Sequence, residues 1–316
     1  MLPRLENFWS LGPHGFHRVA YAEWGDVRQP HLVICAHGLT RNAHDFDVLA
    51  GDLARQCRVV CMDVVGRGRS DWLEHKEDYG FDIYVPDAAA LIARLTAPVA
   101  VSAVERLLRR LPPSRAPRVD WIGTSMGGLL GMILASKPGT PIRRLVLNDV
   151  GPFVPWGALL RLKLEHSGAG ERFQSLEEVE RHLRRACASF GPLDEARWRE
   201  VTRHSARRQD DGTWALAFDP GIVSAMRRGA NKDVEFGSDF LFGVDLWPVW
   251  RAVQCPTLVI RGGDSDLLLR STVEEMLARN PRARVVELPG IGHAPWLEAQ
   301  DQVAIVRDFL TSPVLP

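Results

Sequence analysis

Six short apolar runs decide what this chain folds into. HLVICAHG (31–38), RVVCMDVVGRG (58–68), RVDWIGTS (118–125), RRLVLNDVG (143–151), PTLVIRGG (256–263) and ARVVELPG (283–290) are rich in β-branched residues and show little polar alternation. Each stops at Gly, Asp or Ser. Continuous apolar runs of this length fit strands covered on both faces. Helical patterns lie between them, such as VEEMLARN (273–280) and VAIVRDFL (303–310). Strand and helix in alternation predict a doubly wound α/β fold, a mostly parallel sheet with helices on both sides. FHRVAYAEWG (16–25) supplies an antiparallel edge before it.

The rhythm breaks between residues 152 and 247, where GALLRLKLEH, SLEEVERHLRRACASF and EARWREVTRHSARR follow one another. In the second, Leu176, Val179, Leu183, Cys187 and Phe190 fall on one helical stripe, and Ser175 with Glu178 forms a capping box. Only the short alternation of Trp214, Leu216 and Phe218 reads as strand. The expected organisation is a core made of residues 1–151 and 248–316, with a helical insertion over 152–247. A chain of 316 residues accommodates both.

Bulk charge narrows the partners. Lysine plus arginine equals aspartate plus glutamate, at 39 each, so no electrostatic footprint for nucleic acid exists. Local arginine clusters such as RLLRRLPPSR read as solvated helix faces. No apolar run approaches the ~20 residues that span a bilayer. The N-terminal MLPRLENFWSLGPHG lacks the layout of a secretion signal. The five cysteines, at 35, 57, 61, 187 and 255, show no paired-motif spacing and predict free thiols in a reducing cytoplasm. No motif specifies an oligomeric state.

Chemistry concentrates in WIGTSMGGLLGM (121–132), where Ser125 occupies a G-x-S-x-G pattern. Alone, that pattern is a glycine-rich turn. Here a buried-strand run precedes it and a helix-like run, with a second glycine, follows it. This strand-to-helix context makes Ser125 a candidate nucleophile. The turn lifts the hydroxyl to the carboxyl edge of the sheet, and the amide of Met126 stands at a helix start. A serine hydroxyl needs a base. His293, on the glycine-marked loop after the last strand run, is the candidate, ahead of nine other histidines. The imidazole needs a carboxylate. RGGDSDLLLR offers Asp266, preferred because apolar character resumes after it, and Asp264 as its rival; Asp149, after LVLN, is a third possibility. In AHGLTRN (36–42), the amide of Leu39 is the candidate second oxyanion donor, and His37 is expected to brace the loop rather than act as base.

These pieces resemble the α/β-hydrolase superfamily. AHGLTRN, DVVGRGRSD (63–71), GTSMGG (123–128), the aspartate loop at 264–266 and GIGHAPWLE (290–298) occur in the family's order across almost the whole chain. The resemblance implies a Ser125, Asp266 and His293 triad, an oxyanion site from Leu39 and Met126, and a lid over the pocket from 152–247. Val65 stands where the family pattern has proline. The segment 97–117 is extra length, read as a helix extension away from the pocket. Dehalogenases and epoxide hydrolases of this fold carry an aspartate at the elbow, and Ser125 argues against both.

The leading expectation is a serine hydrolase cleaving a carboxylic ester of a small or medium acyl substrate, without metal or cofactor. Arg41, Trp156 and Trp214 are the candidate substrate contacts; each tryptophan is better suited to the core of the insertion, and an arginine so placed is more often solvated or structurally paired. C–C bond hydrolysis of a ring-cleavage product, or enol-lactone hydrolysis, is the alternative within the family. A ligand-binding or signalling protein on the same fold is the alternative from another class; it has no need of all three triad groups.

Overall fold

The apolar runs pair into one eight-stranded sheet in a computed structural model that describes residues 2–97, 118–165, 170–227 and 243–312. The strands and helices before the insertion are β1 (Arg4–Gly12), β2 (Gly15–Trp24), β3 (His31–Ala36), α1 (Asp47–Leu53), β4 (Arg58–Met62), α2 (Phe81–Thr96), β5 (Arg118–Thr124), α3 (Met126–Ala135) and β6 (Ile142–Asn148). Then come β7 (Phe153–Pro155), α4 (Trp156–Glu165), α5 (Leu176–Ala186), α6 (Glu195–Ser205), β8 (Ala206–Arg208), β9 (Trp214–Leu216), α7 (Gly221–Arg227) and β10 (Gly243–Asp245). The chain closes with α8 (Trp247–Ala252), β11 (Thr257–Gly262), α9 (Arg270–Arg279), β12 (Ala283–Leu288) and α10 (Gln300–Thr311).

The sheet runs β1-β2-β4-β3-β5-β6-β11-β12. β1 and β2 form an antiparallel hairpin, β2 meets β4 antiparallel, and the remaining pairs are parallel. The continuous apolar character of these strands has a direct cause. Leu32, Ile34, Val60, Met62, Val119 and Trp121 pack into a core on one face. Val33, Cys35, Val59, Cys61 and Ile122 pack into a second core on the other. Successive side chains alternate between faces, and both faces are covered. β1 escapes the sequence reading because only Phe8 and Ser10 of its nine residues are buried, as expected of an edge strand paired on one side.

The insertion stands outside the sheet. β7 and β10 pair antiparallel at its two ends, and β8 and β9 make a small hairpin. It has its own apolar cluster of Phe173, Val179, Leu183, Cys187, Trp198 and Val201, joined by Trp296 from the loop before α10. Val179, Leu183 and Cys187 of the predicted stripe lie in this cluster and Phe190 packs against it, whereas Leu176 does not join it. Ser175 caps α5 by accepting from the Glu178 amide, while the Glu178 carboxylate accepts from the Gln174 amide at 2.7 Å. α2 ends at Thr96, and the helix extension expected over 97–117 lies, from residue 98 on, outside the described residues. Cys35, Cys57, Cys61 and Cys187 are buried free thiols. No helix among the described residues is long and apolar enough to cross a membrane.

Candidate active site

Parallel register brings four strand ends to one edge. Ala36 lies opposite Gly123, Thr124 opposite Asn148, and Asn148 opposite Ile260. The turns after these residues therefore meet above the carboxyl ends, where open α/β sheets bind ligands.

Ser125 sits between β5 and α3 with φ 52° and ψ −118°, a strained conformation for a residue with a side chain. Its amide donates to Asn148 O at 3.0 Å, and its carbonyl accepts from Gly128 N at 2.8 Å. The flanking glycines are a spatial necessity. A Cβ on Gly123 would lie 2.1 Å from Gly127 O, one on Gly127 2.0 Å from Ala36 O, and one on Gly128 2.5 Å from Val150 Cγ1. Any larger residue drives α3 away from the sheet.

The base lies within reach. His293 Nε2 is 2.9 Å from Ser125 Oγ, and His293 Nδ1 is 2.7 Å from Asp149 Oδ2. Asp149 is completely buried at the end of β6, in a left-handed turn with φ 56°. Its carboxylate also accepts from Gly262 N at 2.7 Å and Ser265 Oγ at 2.6 Å. Three donors thus hold a buried acceptor in one orientation. The network assigns the imidazole proton to Nδ1 and turns the Nε2 lone pair toward the serine. The histidine loop is tied down as well. Asn148 Nδ2 donates to Pro295 O at 2.8 Å, and Ser189 Oγ, from the insertion, donates to His293 O at 3.0 Å.

This geometry corrects the sequence reading of the acid. Asp266 does not meet His293; its side chain is 53% exposed and forms a two-point ion pair with Arg161, at 2.6 and 2.7 Å. The turn after β11 alternates, with Asp264 and Asp266 exposed and Ser265 buried between them. The inward position belongs to the serine, which braces Asp149. Burial pushes the Asp266 carboxyl up, but the Arg161 contact outweighs it and leaves the group below its ordinary range. Asp149, third among the sequence candidates, is the carboxylate on the histidine.

Neither the Leu39 nor the Met126 amide donates to a protein acceptor among the described residues. Both are positioned by a residue the sequence reading missed. Arg67 is fully buried; its Nε donates to Leu39 O at 2.8 Å and its Nη1 to Val65 O at 2.7 Å. Its Nη2 lies 3.6 Å from Met126 Sδ, and its guanidinium stacks 4.7 Å from the Tyr84 ring centre. The GRG stretch that carries it reads as turn chemistry, with no signal for an inward guanidinium. His37 braces the same loop, donating from Nδ1 to Gly38 O at 2.7 Å and accepting at Nε2 from Val64 N at 3.0 Å. Burial pushes its pKa down to about 3, so it stays neutral.

A pocket opens over Ser125 and His293. Leu39, Leu183, Phe190, Phe218 and Trp296 give it an apolar wall, and Arg41 and Arg161 add two cations. Of the predicted contacts, Arg41 lines it, but its guanidinium is held by Asp45 at 2.6 and 3.0 Å and by Ser205 Oγ at 3.2 Å, 5.2 Å from the Trp296 ring centre. Trp156 and Trp214 do not line it. Trp156 is 40% exposed at the start of α4. Trp214 exchanges backbone hydrogen bonds with Phe173 at 2.8 and 2.9 Å, because its strand serves the insertion's own cluster. Elsewhere, His44, Asp47 and His204 bring ligand atoms within 4.8 Å of one another, outside this pocket. The two imidazoles stack face to face at 3.5 Å, which aims their lone pairs in parallel instead of toward one ion.

The model of the alpha/beta hydrolase family matches residues 33–306. The chain belongs to this family. A 3-hydroxybutyrate-oligomer hydrolase of Cupriavidus necator is 40% identical over 98% of both chains. Among solved structures, a hydrolase of Rickettsia typhi superposes with a TM-score of 0.82 at 27% identity, covering 99% of this chain and 100% of that one. An alpha/beta hydrolase of Novosphingobium aromaticivorans gives 0.75 at 30% identity over 98% and 99%. The protein is thus a hydrolase, on the fold that its sequence motifs imply.

Proposed function

We propose that the protein cleaves short oligoesters of a 3-hydroxy acid through an acyl-enzyme on Ser125. The observation that carries this reading is the Ser125–His293–Asp149 chain of hydrogen bonds, at 2.9 and 2.7 Å, beside the Leu39 and Met126 amides. The substrate class is supported by 40% identity, over nearly the full length of both chains, to the Cupriavidus necator oligomer hydrolase.

Ser125 Oγ attacks the ester carbonyl carbon as its proton passes to His293 Nε2. Asp149 balances the imidazolium and keeps its Nδ1 proton in place. The carbonyl oxygen, now negative, takes the Leu39 and Met126 amides; losing one such donor typically costs about 100- to 1,000-fold in turnover. The tetrahedral species collapses, the alcohol end of the oligomer leaves with the proton from His293, and the acyl group stays on Ser125. A water activated by His293 then releases the acid and restores the serine. The 152–247 segment acts as a cap, giving the pocket its outer wall through Leu183, Phe190 and Phe218. No step needs a cofactor, and buried free thiols suit a reducing cytoplasm.

The test is incubation with linear 3-hydroxybutyrate trimer, beside 4-nitrophenyl butyrate and a vinylogous diketone acid. Release of monomer and dimer, with hydrolysis of the nitrophenyl ester, is the expected result. Rapid diketone cleavage with no ester turnover would reassign the enzyme to C–C bond hydrolysis.

A further inference from the structure

Two guanidinium groups line the pocket, and their carboxylate partners differ in one respect. The Arg41–Asp45 pair is buried, with side chains 10% and 14% exposed. The Arg161–Asp266 pair is open to water, with side chains 33% and 53% exposed. Separating the first strands a carboxylate in a dry site, whereas separating the second releases one into solvent. Arg161 holds Asp266 through Nε and Nη2, the two-point geometry with which a guanidinium takes any carboxylate. Arg161 lines the same pocket as Ser125 and His293, and Asp266 directly follows Ser265, whose hydroxyl is bound to the carboxylate on His293, so the pair borders the reacting centre.

We infer that Arg161 is a carboxylate subsite: the free acid end of the substrate displaces Asp266 from the guanidinium and sets the ester over Ser125. The inference rests on the ester-hydrolase reading and extends it. The enzyme then reads its substrate from the acid terminus, and Asp266 is the carboxylate that the substrate replaces on Arg161. Capping the acid as a neutral ester removes the group that Arg161 recognises.

The experiment compares mono-4-nitrophenyl glutarate with 4-nitrophenyl pentanoate, which share a leaving group and differ in the terminal carboxylate. Wild-type enzyme prefers the acid. Arg161→Gln reduces that preference in kcat/KM by about tenfold or more, through KM, as expected for a lost charged hydrogen bond. Asp266→Asn removes the competing carboxylate and lowers KM for the acid substrate. An unchanged preference in Arg161→Gln, or a raised acid KM in Asp266→Asn, overturns the proposal. Binding gives a readout free of turnover. Calorimetric titration of the Ser125→Ala protein with 3-hydroxybutyrate trimer and its methyl ester should show tighter binding of the free acid, and equal affinities would refute the subsite. Selectivity between the nitrophenyl esters without cleavage of 3-hydroxybutyrate trimer would remove the oligoester assignment and leave the subsite standing.

Discussion

Among the described residues, two chains of nucleophile, imidazole and carboxylate stand at opposite edges of one sheet. At the carboxyl edge, Ser125, His293 and Asp149 are linked at 2.9 and 2.7 Å. At the amino edge, Cys57 Sγ lies 3.4 Å from His31 Nδ1, and His31 Nε2 lies 2.6 Å from Asp120 Oδ2. Residue types alone would credit both with chemistry. The surroundings separate them. Ser125 occupies a strained turn at the start of α3, beside two amides without protein acceptors among the described residues, under a pocket. Cys57 is completely buried, and neither it nor His31 lines that pocket. A hydrogen-bonded relay becomes a catalyst only where a reactant reaches the nucleophile and donors await the charge that develops. The amino-edge relay is a structural clasp joining β3 to β5.

The largest contrast lies in the nucleophiles. Ser125→Ala should reduce ester turnover by roughly 10⁴-fold or more with an unchanged circular dichroism spectrum. Cys57→Ala should leave kcat within about twofold, because a buried thiol meets no substrate. Comparable losses in both variants would erase the distinction between the two edges.

The elbow comes next. Gly127→Ala places a methyl group 2.0 Å from Ala36 O. The forced shift of α3 moves Ser125 and the Met126 amide together, and a displacement near 1 Å costs on the order of 100-fold in kcat. A variant with wild-type kcat and an unchanged melting temperature would show that the close helix approach is dispensable.

The smallest effect concerns stability. The Asp120 hydrogen bond, helped by Cys57 and opposed by burial, raises the His31 pKa from 6.5 to about 9. A folded-state pKa above the unfolded value stabilises the protein fully below pH 6.5, and the contribution disappears as pH rises through about 9. His31→Asn should therefore cost on the order of 1–3 kcal/mol at pH 6 and much less at pH 10, read from urea midpoints. Equal losses at both pH values would mean that packing, not protonation, accounts for the clasp.

The parallel core was legible because each strand is covered on both faces, and the elbow because glycines must flank a serine placed where backbones touch. His293 was legible from its place after the last strand. The acid was not. Asp264 and Asp266 flank Ser265 in a turn whose local pattern leaves open which side chain points inward. Asp149 ends a strand run as an ordinary turn residue does, and its selection depends on the register of β6 against β5 and β11. Arg67 was missed for a related reason: a buried guanidinium satisfied by backbone carbonyls leaves no local trace, since its partners lie at residues 39 and 65. Trp156 and Trp214 were misplaced because aromatic content does not say whether a ring faces a pocket or an insertion's own core.

The most direct test of the account compares two isosteric variants, Asp149→Asn and Asp266→Asn, on 4-nitrophenyl butyrate. The account predicts a loss near 10⁴-fold in kcat for Asp149→Asn, because the imidazole loses the acceptor that fixes its tautomer, and more than a tenth of wild-type kcat for Asp266→Asn. The reverse ranking would contradict it and move the acid to the turn after β11.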